Sequence, residues 1–157
     1  MTALSALIAA LYAGLTAALA PLSFGPVQFR VAEALTLLPF FIPEAVPGLF
    51  VGCLLSNMLG GFGLVDIILG SAATLLAAWL TARARNIWLA ALPPVLVNAL
   101  VVGGYVAILS DTPIALSMLY IGASQALICC GMGIPLALGI RRSGIIDRFM
   151  EAKRPRG

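Results

Sequence analysis

The chain reads as an all-α integral membrane protein of six transmembrane helices, and three observations carry that reading. Of its 157 residues 62% are hydrophobic and only 10% charged, and the mean hydropathy is +1.10, whereas soluble domains carry about a quarter charged residues. Apolar runs near the roughly 20 residues needed to cross a bilayer recur along the whole length. The runs are too long for alternating strands, and backbone polar groups in lipid must be satisfied within the segment, which leaves helix.

Punctuation by Gly, Pro and charge divides the chain into segments of about 3 to 20, 30 to 42, 46 to 61, 64 to 82, 87 to 109 and 113 to 140. The breaks are Pro21 to Pro26, Pro43-Glu44, Gly60 to Gly63, Arg83 to Arg85, and Ser110 to Pro113. The first segment ends in Ala18-Leu19-Ala20, which resembles a signal-peptidase site. The first 29 residues hold no Lys or Arg for a basic n-region and Pro21 would follow the cut, so a retained span is expected. The second segment is short: about 13 residues of α-helix rise only ~20 Å, less than the ~30 Å hydrocarbon core. With the N-terminus inside, the inner loops and tail hold Arg83, Arg85, Arg141, Arg142, Arg148, Lys153, Arg154 and Arg156, and the outside holds only Arg30. That asymmetry predicts both termini in the cytoplasm. It also explains the net charge of +3 without nucleic acid as a partner. Two units follow, a transmembrane domain over residues 1–140 and a short basic tail over 141–157, whose cations meet anionic headgroups of the lipid bilayer.

Absences narrow the chemistry. The chain has no histidine, hence no His-based zinc site and no Ser-His or Cys-His nucleophile. It has no P-loop, and its only lysine is Lys153, so ATP energy would have to arrive through another subunit. Cys53, Cys129 and Cys130 lie in apolar runs without C-x-x-C spacing and read as small buried hydrophobes. No metal, no cofactor and no enzyme activity is expected.

Under this topology almost every strong polar side chain falls in the outer half of the membrane: Gln28, Arg30 and Glu33 at the second span, Asn57 on the third, Asp66 on the fourth, Asn98 and Tyr105 on one face of the fifth, and Ser117, Ser124, Tyr120 and Gln125 on the sixth. Intramembrane ionisable groups mark functional sites by default. Arg30 and Glu33, three apart on one helical face, are expected to pair, either as part of a site or as a structural ion pair. Asp66 reads as a first-turn cap of the fourth helix. Asn57 and Asn98 read equally as interhelical glue, and Tyr105 and Tyr120 as belt residues. The sum is an outward-facing pocket above an apolar plug, lacking the continuous polar path of a channel. Small residues four apart on the first span, at Ala6, Ala10 and Gly14 and at Ala9, Ala13 and Ala17, offer close helix approach, as do Gly48 and Gly52.

The stretches "FGPVQFRVAEALTLLPFF", "AVPGLFVGCLLSNML", "GLVDIILGSAATLLAAWLT" and "LPPVLVNALVVG" resemble the QueT family of queuosine-precursor transporters, predicted substrate-binding S components of energy-coupling factor (ECF) transporters. The resemblance runs from about Phe24 to Gly103, with the G-P-x-Q-F-R-x-x-E block its specific part. It implies a plasma-membrane protein that captures a 7-deazaguanine from the outer face: the aminomethyl or cyano base, or queuine. It also implies docking on a transmembrane coupling subunit through the first span, at Ala9, Ala10 and Ala13, with two ATPase subunits supplying energy. The implied substrate-binding set is Gln28, Arg30, Glu33, Asn57, Asp66, Asn98, Tyr105 and Gln125. Glu33 would accept the base's paired N–H donors, Arg30 would orient Glu33 and keep it charged, and Tyr105 or Phe29 would stack on the base. Asp66 would face an aminomethyl cation. An S component for another small heterocycle, or a membrane scaffold that only packs against partners, are the alternatives that the residues leave open.

Overall fold

The computed structural model describes residues 2–25, 28–60 and 62–144, and within these the ordered elements are helices. Helix α1, Ala3–Ala18, starts where the Thr2 hydroxyl accepts from the Ser5 amide at 3.2 Å. Helix α2 is Val31–Phe40 and α3 is Ala45–Leu59. Three longer helices follow, α4 (Gly63–Thr81), α5 (Ile87–Leu109) and α6 (Ile114–Arg142), each long and apolar enough to cross a membrane, while α1, α2 and α3 are shorter apolar helices. The expected boundary at residue 140 falls inside α6, and the tail beyond residue 144 lies outside the described residues.

Helix α2 differs from expectation in kind: it is a 3₁₀-helix. Ten residues at about 2.0 Å each reach ~20 Å, a third more than the same residues as α-helix. Residues 32 to 39 are all buried, because α2 runs through the middle of the bundle against α1, α4, α5 and α6. Only its edge at Val31, Ala34 and Leu35 borders an apolar groove on the outside.

Close approaches set the bundle. Helices α1 and α3 run parallel, and a Cβ on Gly48 would lie 2.5 Å from the Ser5 carbonyl oxygen, one on Gly52 2.9 Å from that of Ala9. The Gly48/Gly52 pair is therefore spent inside the chain. Helix α2 returns antiparallel to both, and Gly133 on α6 makes room for it, since a Cβ there would meet the Ala34 carbonyl oxygen at 3.1 Å. Pro94 in α5 has no N–H for the Ala90 carbonyl, which instead accepts from the Thr81 hydroxyl at 3.0 Å. Such repair by a neighbouring hydroxyl is how prolines are tolerated in apolar helices.

Each long helix carries one π-turn: Asp66–Gly70, Asn98–Val102 and Cys129–Gly133. Such wider turns are frequent at functional sites, and the first two supply Gly70, Asn98 and Val102 to the crevice described below. One end of the bundle gathers Phe40, Phe41, Ala84, Ile87 and Leu138 around buried Leu37, Ala90, Ala91, Ile134 and Ala137. The polar residues collect toward the opposite end. The outer surface is apolar, with Leu7, Leu64, Ile68, Trp88, Leu100, Ile108, Leu119 and Leu127 all exposed, while Arg30, Glu33, Asp66, Asn57 and Gln125 are buried. Polar inside and apolar outside is the distribution that lipid, not water, selects. Cys53 and Cys129 are buried as expected, whereas Cys130 is exposed on the apolar surface because it follows Cys129 by one residue, about 100° around the helix.

Candidate functional site

The site draws side chains from each of α1 to α6. Arg30 lies just before α2 in extended backbone, φ −94° and ψ 91°. It is therefore off the helix that carries Glu33, and the expected three-residue pairing between them does not form. The Arg30 guanidinium instead crosses to α3 and α4: Nη1 donates to Asn57 Oδ1 at 2.9 Å, and Nη2 faces Asp66 Oδ2 at 3.9 Å. Its plane lies over the Phe24 ring, 5.6 Å from the centroid.

Glu33, opening α2, takes its partners from either side of the bundle. Tyr12 on α1 donates its hydroxyl to Oε1, and Gln125 on α6 donates Nε2 to Oε2 at 3.0 Å. Tyr12 is fully buried, so it points inward, away from any partner surface. It lies between Ala10 and Ala13 in the stretch expected to dock a partner. The signal that finds it is the spacing Ser5, Ile8, Tyr12, Thr16, which is the buried face of α1.

Asp66 is likewise not the helix cap expected of it. Helix α4 begins at Gly63, whose φ of +70° suits glycine, and Asp66 lies one turn in, with no side-chain cap bond formed. It is wholly buried and accepts the Tyr105 hydroxyl on Oδ1. Asn57 ties this region to α3, donating Nδ2 to the Asp66 carbonyl at 2.9 Å and to Ser71 Oγ at 3.3 Å.

Between these groups is a crevice lined by Gln28, Arg30, Glu33, Gly70, Thr74, Asn98, Val102, Ile121 and Gln125. Its cavity volume is about 10 Å³. That is room for about one water, so a larger guest must part side chains as it enters. The larger spaces, 380 to 390 Å³, are apolar grooves on the outside of the bundle. Of the residues predicted from sequence, Gln28, Arg30, Glu33, Asn98 and Gln125 face the crevice, while Asn57, Asp66 and Tyr105 form the network behind it. Gly70, Thr74, Val102 and Ile121 are additions that no charge or motif announces. Tyr120 is exposed on the outer surface, as a belt residue would be. Gln28 holds a φ of +46°, uncommon for a residue with a side chain and frequent where function demands a particular aim. Its Nε2 and the Nδ2 of Asn98 are buried without a hydrogen-bond partner. Of the predicted docking residues Ala10 is exposed, Ala13 half-buried, and Ala9 packs inward against Gly52.

A charged, hydrogen-bonded crevice enclosed by a helical bundle with an apolar exterior defines an integral membrane protein with an internal polar crevice. The family model described as QueT transporter matches residues 2–142, and the chain belongs to that family, which is one of transporters and not of enzymes. A curated relative, the "Queuosine precursor transporter QueT" of Lactococcus lactis subsp. cremoris (strain MG1363), is 43% identical over 72 residues, 45% of this chain and 42% of that protein. The matched stretch thus spans less than half of the relative's length. No solved structure matches.

Proposed function

We propose that this chain is the substrate-capturing S component of an ECF importer, lying multi-pass in the plasma membrane with six spans and cytoplasmic termini, and that it binds a queuosine precursor from the outer face. The basic residues Arg83, Arg85, Arg141 and Arg142 border the apolar end of the bundle, opposite the crevice, which supports that end as cytoplasmic. The apolar cluster below the crevice supports capture without conduction.

One observation carries the ligand reading: Glu33 faces the crevice together with two amide groups, Gln28 Nε2 and Asn98 Nδ2, that have no acceptor. A carboxylate oxygen retains a second lone pair after one bond, so Glu33 can accept adjacent N–H donors while held by Tyr12 and Gln125. A guanine-like edge offers two such donors beside a carbonyl oxygen, and that carbonyl suits an orphan amide donor. The relative's name points to the same substrate class. Docking on a coupling subunit is supported by the exposed stripe Ala6, Ala10 and Gly14 of α1.

Thermal unfolding of the purified chain in detergent tests this reading. A 7-deazaguanine base at 100 times its Kd raises stability by about 2.7 kcal/mol if it binds the folded state alone, and riboflavin leaves it unchanged. A folded chain that no deazaguanine stabilises would sink the proposal and leave a scaffold.

A further inference from the structure

The outside of the bundle carries a feature that solute capture does not use. An apolar groove between Phe50 and Leu54 of α3 and Ile68 of α4 shares Ala72 and Leu75 with a second groove that continues to Trp79. Together they follow α4 from residue 67 to residue 79. That stretch is about 18 Å long at ~1.5 Å per residue, close to the ~15 Å that one leaflet contributes to the hydrocarbon core. The groove therefore matches one acyl chain in length.

Its end sets it apart from an ordinary lipid-facing surface. Arginines at a membrane surface extend their heads outward into water. Arg83, exposed one turn beyond Trp79, folds back instead: its guanidinium carbon stands 3.7 Å from the centroid of the Trp79 ring, and Nη1 donates to the Trp79 carbonyl at 3.2 Å. That bond caps the end of α4 but employs only one of the five N–H groups of a guanidinium. A planar cation with further donors is thus fixed on the last side chain of an apolar groove, and its fork matches the oxygens of a phosphate. Arg85, also exposed, adds a second positive charge two residues on. Trp88, 67% exposed just past that turn, is placed as an interfacial aromatic would be. An apolar face alone accepts any lipid, whereas one that ends in a held guanidinium selects a lipid whose head is anionic.

We infer that this face binds an anionic phospholipid, one acyl chain lying along α4 from Ile68 to Trp79 and the phosphate received by Arg83, with Arg85 beside it. A zwitterionic lipid brings its own cation to the same place and binds less well. The lipid site is independent of which solute the crevice takes.

Tryptophan fluorescence of the whole chain in bilayers tests this. The chain has two tryptophans, so Trp88→Phe leaves Trp79 as the single reporter, and bromine on an acyl chain quenches an indole that it touches. The protein is reconstituted in phosphatidylcholine containing a minor fraction of acyl-brominated phosphatidylglycerol, or the same fraction of brominated phosphatidylcholine. The brominated phosphatidylglycerol is expected to quench Trp79 with about fivefold higher apparent affinity, the factor that one arginine near an anionic lipid surface corresponds to. Adding Arg83→Gln, a change at an exposed position, brings that ratio toward one. Equal quenching by the two lipids overturns the inference without any change at Arg83. A preference that survives Arg83→Gln belongs to other cations and overturns the site. If neither lipid quenches Trp79, protein such as a second copy of the chain covers the face, and the inference falls. Each of these outcomes leaves the proposed solute capture untouched.

Discussion

Arg30 and Glu33 are three residues apart in the chain and serve different halves of one network. Arg30 joins Asn57 and Asp66, and Glu33 joins Tyr12 and Gln125. Each is thus held ready by groups from other helices, which lowers the cost of ordering them when a ligand arrives. Glu33→Gln is expected to weaken deazaguanine binding by roughly 2 to 5 kcal/mol, since it removes a charged acceptor from a buried hydrogen-bonded contact; unchanged calorimetric affinity would remove Glu33 from the site. Tyr12→Phe deletes one donor to Glu33 without touching the crevice wall. It should cost about 1.5 to 3 kcal/mol of affinity or stability, and parallel titration and thermal unfolding show how the loss is divided.

At the scale of elements, glycine and proline place the helices. Gly48 and Gly52 let α1 and α3 approach until the backbone of one meets the Cα surface of the other, so Gly52→Ala overpacks that seam. The expected loss is about 1 to 3 kcal/mol of stability, read by thermal unfolding in detergent, and an unshifted midpoint would mean that the α1–α3 seam is loose. Two π-turns shift the faces of α4 and α5 at the crevice, and a third in α6 packs against α2. Asp66, Gly70, Asn98 and Val102 all belong to such turns, and a strict 3.6-residue period would misjudge which of them look inward. The 3₁₀ geometry of α2 accompanies its central position, where residues 32 to 39 are buried and one edge lines an apolar groove between α1 and α6.

For the whole molecule, the polar crevice at one end and the arginine-bordered apolar cluster at the other define a polarity that membrane sidedness must respect. Cysteine labelling checks it: in a background without Cys130, Asp111→Cys in intact cells should react with a membrane-impermeant maleimide and Ser143→Cys should react only after lysis. Asp111 and Ser143 are both exposed and lie at opposite ends of α6's two neighbouring loops. The reverse labelling pattern would invert the proposed topology and place the crevice on the cytoplasmic side. Uptake of a deazaguanine by cells holding the chain should further require an ATPase module, because the chain has no P-loop of its own; uptake that persists without one would make it a self-sufficient transporter.

Composition and segment boundaries alone determined a helical membrane protein, and depth along each segment was enough to expect Gln28, Arg30, Glu33, Asn98 and Gln125 in the outer half of the membrane. That much is legible because lipid penalises any unsatisfied backbone group and any stray charge, so apolar runs and their rare polar interruptions carry the information by themselves. The pairing was decided only in three dimensions. Arg30 leaves Glu33 for Asp66 because its backbone is extended, Tyr12 turns inward because it lies on the face of α1 that packs against Gly52 of α3, and Gly70 lets Asp66, Asn57 and Tyr105 pack closely because it has no side chain. Hydrogen bonds between helices depend on rotations and offsets of a few ångströms that residue spacing along one chain does not encode, and tertiary packing alone supplies them.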